Sequence, residues 1–163
     1  MSEGDPPPES GGAYDYRGRV YFDYSPVRDR LADPGEVAWS WVAYEEDDRV
    51  GKDRPVLIIG YAGRHHVAAL MVTTRERPGD DRWVPIGSGT WDRTRRPSYA
   101  RVDRVLRVRR DGVRRIGAVL PRATFDSVVR ACRAQGVRRA GLIARVVQRL
   151  SRARADRAAS RAT

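Results

Sequence analysis

Three short groups of residues have the types and spacing that phosphate chemistry needs. Arg54 stands directly before Pro55. Thr73 and Thr74 close an apolar run and lead into Arg75. Arg101 and Asp103 lie two positions apart. An arginine fork binds two phosphate oxygens at once and keeps its charge at any working pH. A threonine hydroxyl can donate a hydrogen bond to another phosphate oxygen. On a strand, positions i and i+2 share a face, so Arg101 and Asp103 would set a carboxylate beside a cation. Each group also has a plain structural reading. Arg54 can pair with Asp53 or Asp103, Thr73 can be an ordinary strand end, and Arg101 with Asp103 can be a surface ion pair of little worth.

A fourth group mixes aromatic and basic side chains. Trp83, Trp91 and Tyr99 are interleaved with Arg82, Arg93, Arg95 and Arg96. Stacking rings beside phosphate-neutralising arginines are what a single-stranded RNA platform uses. The alternative is that Trp83 belongs to the core and the loop arginines are merely solvated. Other chemistries find no support. His65 and His66 are adjacent on a strand and point to opposite faces, so they cannot chelate one metal together. No Cys, His and acid spacing suggests zinc. Gly87-Ser88-Gly89 lacks the lysine and the spacing of a P-loop, and there is no Gly-x-Ser-x-Gly elbow. Cys132, the only cysteine, falls on the apolar stripe of a helix and reads as core. No cofactor or metal site is expected.

The charge balance points to a polyanionic partner. The 163 residues carry 32 Lys plus Arg against 21 Asp plus Glu, a formal net charge of +11, and Lys52 is the only lysine. Such an excess favours nucleic acid, an acidic protein or an anionic surface. A GC-biased coding sequence, of the actinobacterial type, yields the same arginine-for-lysine usage. One cysteine excludes a disulfide framework within the chain. Residues Met1 to Gly12 are acidic and proline-rich with no apolar stretch of the signal-peptide kind. No apolar run approaches the ~20 residues of a membrane span. The expectation is a cytoplasmic protein with no membrane association.

The elements that must position these residues follow from apolar patterning. Residues 1–18 are rich in Pro, Gly, Ser and acids and are expected to be disordered. Arg19 to Tyr24 predicts a short strand, and Arg30 to Gly35 a turn-rich connection. Val37 to Tyr44 predicts a strand, Glu45 to Asp53 a charged loop, and Pro55 to Ile59 a buried strand. His65 to Thr73 predicts its antiparallel neighbour. Trp83 to Ile86, Tyr99 to Val108 and Arg115 to Val119 complete the β part, with a Gly- and Arg-rich loop at Gly87 to Pro97. Pro121 opens a helix whose stripe is Phe125, Val128, Val129 and Cys132, and Gly136 closes it. A second helix is expected from about Arg138, with Leu142, Ile143, Val146, Val147 and Leu150 as its apolar face. The fold class is therefore α+β: a small twisted barrel of short strands with C-terminal helices. The domain spans 19–135 with its core at 35–135, and 136–163 forms a basic helix and tail.

The order of the motifs resembles the MazF/PemK toxin family. Gly35-Glu36-Val37 with Trp39 looks like the opening strand of that family. Gly51-Lys52-Asp53-Arg54-Pro55-Val56-Leu57 is similar to its Gly-x-Arg-Pro-x-Leu strand. Ala68 to Thr74 matches an apolar strand ending in Thr-Thr, and Arg101-Val102-Asp103-Arg104-Val105 a later Arg-x-Asp strand. The likeness covers about Gly35 to Gln135. It implies an SH3-like barrel, a homodimer, an acidic antitoxin partner, and metal-independent cleavage of single-stranded RNA. It implies further that Arg54 is the catalytic arginine, Thr73 a phosphate-binding threonine, and Arg101 with Asp103 the acid and base. RNA contacts are then expected at Glu46 and Lys52, at Thr74 and Arg75, and at Trp91, Arg93, Arg95 and Arg96. The loop Glu45 to Asp53 has no histidine, unlike the PemK/Kid branch, which leaves the base as Asp103 or else Glu45 or Glu46.

Metal-free RNA cleavage uses the ribose 2′-hydroxyl as an internal nucleophile. The protein must stabilise charge on the phosphorane and help move protons. Arginine suits the first task and, with a pKa above ~12, is poorly poised as a general acid. Two other functions compete: a barrel of the same kind that binds nucleic acid or protein without cleaving, and a gyrase poison like the CcdB toxins, which share the barrel.

Overall fold

In the computed structural model, residues 4, 6–9, 11–27 and 31–140 are described. The elements run β1 (Tyr14–Asp15), β2 (Tyr21–Phe22), β3 (Glu36–Ala43), β4 (Gly51–Tyr61), β5 (His66–Thr73), β6 (Trp83–Gly87), β7 (Ser98–Arg109), a single 3-10 turn (Arg110–Gly112), β8 (Arg114–Val119) and α1 (Arg122–Ala134). The pairings are antiparallel and follow the order β1-β7-β5-β4-β3-β8, with β2 attached to β4 and β6 to β7. This is the α+β organisation the patterning predicts. The path runs from β1 to β8 without closing into a ring. An isolated bridge from Ala13 to Val42 brings the β1 end against β3.

Alternation along the strands divides the apolar side chains between two faces. Leu57 and Ile59 of β4 and Ala68, Leu70 and Val72 of β5 point to one core, where Phe125, Val128 and Cys132 of α1 cover them. Val56 and Ile58, with Val67, Ala69 and Met71, point to the other, which also takes Ala13, Tyr21 and Ala140. Burial on both faces is why these strands read as continuous apolar runs. Two glycines are required locally. Gly35 sits at φ 101°, where a side chain would be strained, and turns the chain into β3. A Cβ on Gly51 would stand 2.2 Å from the Val42 carbonyl oxygen across the β3–β4 pair. The helix ends as expected: Gly136 takes φ 86°, and Val137 donates its N–H to the Cys132 carbonyl.

Three expectations change. Residues 11–18 are not disordered: β1 pairs with β7, and Ala13 and Tyr16 donate to the Trp41 and Val105 carbonyls. The segment has too few apolar residues to fold alone, and it orders by lending backbone hydrogen bonds to the sheet and burying Ala13. Gly51 to Asp53 belong to β4 rather than to the charged loop, because their backbone pairs with Trp41 to Ala43. Arg138 to Ala140 do not start a helix but bridge to Val20 through Val20 N–H to Arg138 and Ala140 N–H to Val20. The helix stripe of Leu142 to Leu150 and the basic tail lie outside the described residues. Among the described residues no helix is long and apolar enough to cross a membrane.

Candidate active site

β4 is the element that sets out the candidate site. Its N-terminal half pairs with β3, Arg54 opposite Ser40 and Pro55 opposite Trp39. Its ladder with β5 ends at Val56 opposite Met71, one residue after Pro55, which has no N–H to give. Arg54 and Thr73 each lie two residues beyond that last pair, on neighbouring strands. Both fall on the face of Val56 and Met71 by alternation. β5 meanwhile stays paired to β7, with Thr73 opposite Tyr99. Beyond it β4 and β5 carry no mutual pairing, which leaves an unpaired notch at the level of Arg54 and Thr73.

Arg54 is half-buried and makes no hydrogen bond or ion pair among the described residues. Asp53 is taken by Arg114 at 2.9 Å and Asp103 by Arg101, so neither acid is left to neutralise it. Burial lowers its pKa from the usual arginine value; Tyr44 opposes the shift, and the like charge of Arg104 adds to it. A desolvated cation without an acid is costly. It is the arrangement a site for an incoming anion needs. Thr73 is poised on the neighbouring strand. Its Oγ1 accepts the Arg75 N–H at 3.1 Å, which leaves the hydroxyl hydrogen to donate.

The acidic part is organised by Arg101. Its Nε and Nη2 donate to the two Asp103 oxygens at 2.8 and 3.3 Å, and its Nη1 donates to Glu45 at 2.9 Å. The hydrogen bond it donates to Asp103 is the main reason its pKa is raised. Next in the chain, Arg104 is buried, with Nε on Asp15 at 2.6 Å and Nη2 on the Ala43 carbonyl at 2.8 Å. Arg104 therefore links Arg54, whose field it shares, to the cleft where Glu45 and Asp103 stand. Sequence reasoning singled out neither Arg104 nor Asp15. Arg104 sits inside the Arg-x-Asp-Arg stretch, but its partner Asp15 is 89 positions away.

The remaining expected residues scatter. Glu46 and Lys52 are exposed on the β3–β4 hairpin, and Thr74 and Arg75 continue from Thr73 at the notch. Trp91 needs correction as a stacking platform. It is 5% exposed, packs in the helix-covered core and spends its Nε1–H on the Ser98 hydroxyl at 2.9 Å. Arg96 is tied to Asp92 at 2.9 Å, while Arg93 and Arg95 are exposed. Trp83 and Tyr99 are only partly buried, and Arg77 lies over the Trp83 ring at 5.2 Å. They border a shallow hollow on the strand that carries Arg101 and on its neighbour. Among the described residues no three His, Cys, Asp or Glu side chains gather as a metal-ligand group.

A search of curated proteins finds no match to the chain. Residues 33–136 of the 163 match the family model of the PemK-like, MazF-like toxins of type II toxin–antitoxin systems. That span contains Gly35-Glu36, Arg54-Pro55, Thr73 and Arg101-x-Asp103, and the chain belongs to this toxin family.

Proposed function

We propose that the chain is an endoribonuclease that cuts single-stranded RNA without a metal ion, as the toxin of a type II toxin–antitoxin pair in the cytoplasm. The observation that carries this reading is Arg54: half-buried, without an acid among the described residues, and lying, like Thr73 with its free hydroxyl hydrogen, just beyond the end of the β4–β5 ladder. A phosphodiester seated there receives two guanidinium donors from Arg54 and one hydroxyl donor from Thr73. Asp103 takes the proton of the ribose 2′-hydroxyl. The 2′-oxygen bonds to phosphorus, the bond to the 5′-oxygen breaks, and that oxygen leaves with a proton from water. The products are a 2′,3′-cyclic phosphate and a 5′-hydroxyl. Arg54 and Thr73 hold the extra negative charge of the phosphorane. Arg101, with its pKa raised, is a poor acid. Its role is to fix Asp103 and Glu45 and to neutralise part of their charge before RNA arrives.

The family's SH3-like barrel, a homodimer and an acidic antitoxin partner belong to the same reading. The Ala13–Val42 bridge supports a sheet curling towards closure, and the net charge of +11 suits both RNA and an acidic partner. One observation favours a nucleic-acid-binding domain that does not cleave: Arg101 occupies two of the three candidate bases, Asp103 and Glu45. The test is digestion of a long single-stranded RNA in EDTA by the wild type and by Arg54→Ala. Fragments with 5′-hydroxyl ends from the wild type alone support the ribonuclease. Retained RNA binding with no cleavage by either protein selects the non-catalytic reading.

A further inference from the structure

A cleft of about 280 Å³ opens between the N-terminal segment and the C-terminal end of α1. One wall is Glu45 and Asp103 of the candidate site. The other is Asp15 and Arg17, with Gln135 and Arg138 at the far end. We propose that this cleft is a base-binding subsite, which takes the RNA base beside the scissile phosphate and sets part of the chain's sequence selectivity. The proposal rests on the RNA-cleaving reading of the adjoining site.

Size and lining both argue for a base. Clefts for small organic ligands begin at roughly 300 Å³, so this one holds one planar ring rather than an extended ligand. Its lining mixes acceptors and donors. The Asp15 and Glu45 side chains remain 43% and 50% exposed despite their ion pairs, and a carboxylate has lone pairs beyond those an arginine fork uses. Arg17 has no side-chain partner among the described residues, and Gln135 is partly buried at the edge. Three carboxylates repel a phosphate and accept from exocyclic amino groups. Adenine, cytosine and guanine have such groups, and uracil does not.

The wall is held rigidly. Asp15 is fastened by the buried Arg104, Tyr16 donates its N–H to Val105, and Arg138 Nη2 donates to the Arg17 carbonyl at 2.9 Å. Val20 then bridges to the chain after α1. Residues 15–18 and 137–138 lie outside the span 33–136 that matches the family. The selectivity this cleft gives would therefore be particular to this chain, added to a shared cleavage site.

The test measures discrimination and cleavage separately on full-length wild type, Asp15→Asn and Arg17→Ala, each checked by circular dichroism to be fully folded at the assay temperature. Fluorescence anisotropy follows labelled oligo(A), oligo(C) and oligo(U) whose 2′-hydroxyls are methylated, so that the nucleophile is blocked and none is cut. Sequencing of the 5′-hydroxyl ends maps cuts in a long RNA. We expect the wild type to bind the A or C oligomer about tenfold more tightly than the U oligomer. That preference should collapse in the variants, and one position beside the cut should lose its base bias. If Asp15→Asn does not fold, Arg17→Ala carries the test alone. Equal binding of the three oligomers by wild type, or discrimination unchanged in a folded variant, overturns the subsite. Variant-sensitive discrimination without any cleavage keeps the subsite and removes the ribonuclease reading.

Discussion

An arginine that is half-buried with no acid beside it lowers the stability of the molecule that carries it. If Arg54 were structural, its removal would cost stability; if it waits for a phosphate, removal would cost only activity. We expect Arg54→Ala to leave the denaturation midpoint unchanged or raised and to slow RNA cleavage on the order of 10²–10³-fold. Arg54→Lys should recover little, because a point-like ammonium cannot bind two phosphate oxygens at once. A destabilised Arg54→Ala with full activity would return the residue to a structural role. Cys132 gives the opposite case. It is fully buried on the core-facing side of α1, and burial pushes its thiol pKa up to about 12. Only the thiolate attacks a disulfide reagent. We expect no reaction with such a reagent at neutral pH until the protein unfolds, and prompt labelling of the native protein would overturn the placement of the helix. Single residues were readable from the sequence when their neighbours in the chain explain them. Cys132 was placed by helical spacing. Trp91 was misplaced because the ring folds back onto its own loop and meets Ser98, which no periodicity reports.

At the scale of elements, the structural surprise is the N-terminal segment. It lacks the apolar residues to fold alone, and besides its backbone hydrogen bonds it is tied to the sheet by an ion pair, Asp15 on Arg104. The two ends of that ion pair are not equivalent. Arg104 is 8% exposed and Asp15 is 43% exposed. Removing the acid strands a buried cation on the Ala43 carbonyl alone, whereas removing the arginine leaves an acid that water can reach. We expect Asp15→Ala to cost roughly 2 kcal/mol, reduced by partial exposure from the 3–5 of a buried pair, and Arg104→Met to cost less. Urea denaturation of both variants measures the difference, and the reverse order would mean that the segment is held by its backbone pairing instead. Strands β3 to β5 were legible because long stretches of them are buried on both faces and read as apolar runs, and β7 because buried positions alternate along it. The segment from Ala13 to Asp15 was not, since two residues pairing with a strand more than 90 positions away leave no local pattern. The notch at Arg54 and Thr73 was half legible. Motif order named both residues, but the parting of β4 from β5 depends on where Pro55 meets the ladder.

At the scale of the whole molecule, charge and symmetry decide how RNA is engaged. The proposed homodimer predicts twice the monomer mass in sedimentation at micromolar concentration; a monomer would remove the dimer from the reading and leave the RNA site within one chain. The net charge of +11 does not say which arginines meet phosphate. Many are already spent: Arg49, Arg82, Arg96, Arg101, Arg104, Arg109 and Arg114 each hold a carboxylate. Neutralised arginines release few counterions when RNA binds, so the salt dependence should be far weaker than the total charge implies. For a single strand each phosphate contact contributes about 0.7 to the slope of log affinity against log salt. Residues 152–163, outside the described residues, add four arginines with a single acid among them, Asp156. Deleting 152–163 should lower the slope by about 0.7 for every one of those arginines that touches RNA and weaken affinity accordingly. An unchanged slope would make the tail a bystander. It would leave RNA to cations of the described domain, Arg54, Lys52, Arg75, Arg93 and Arg95 among them.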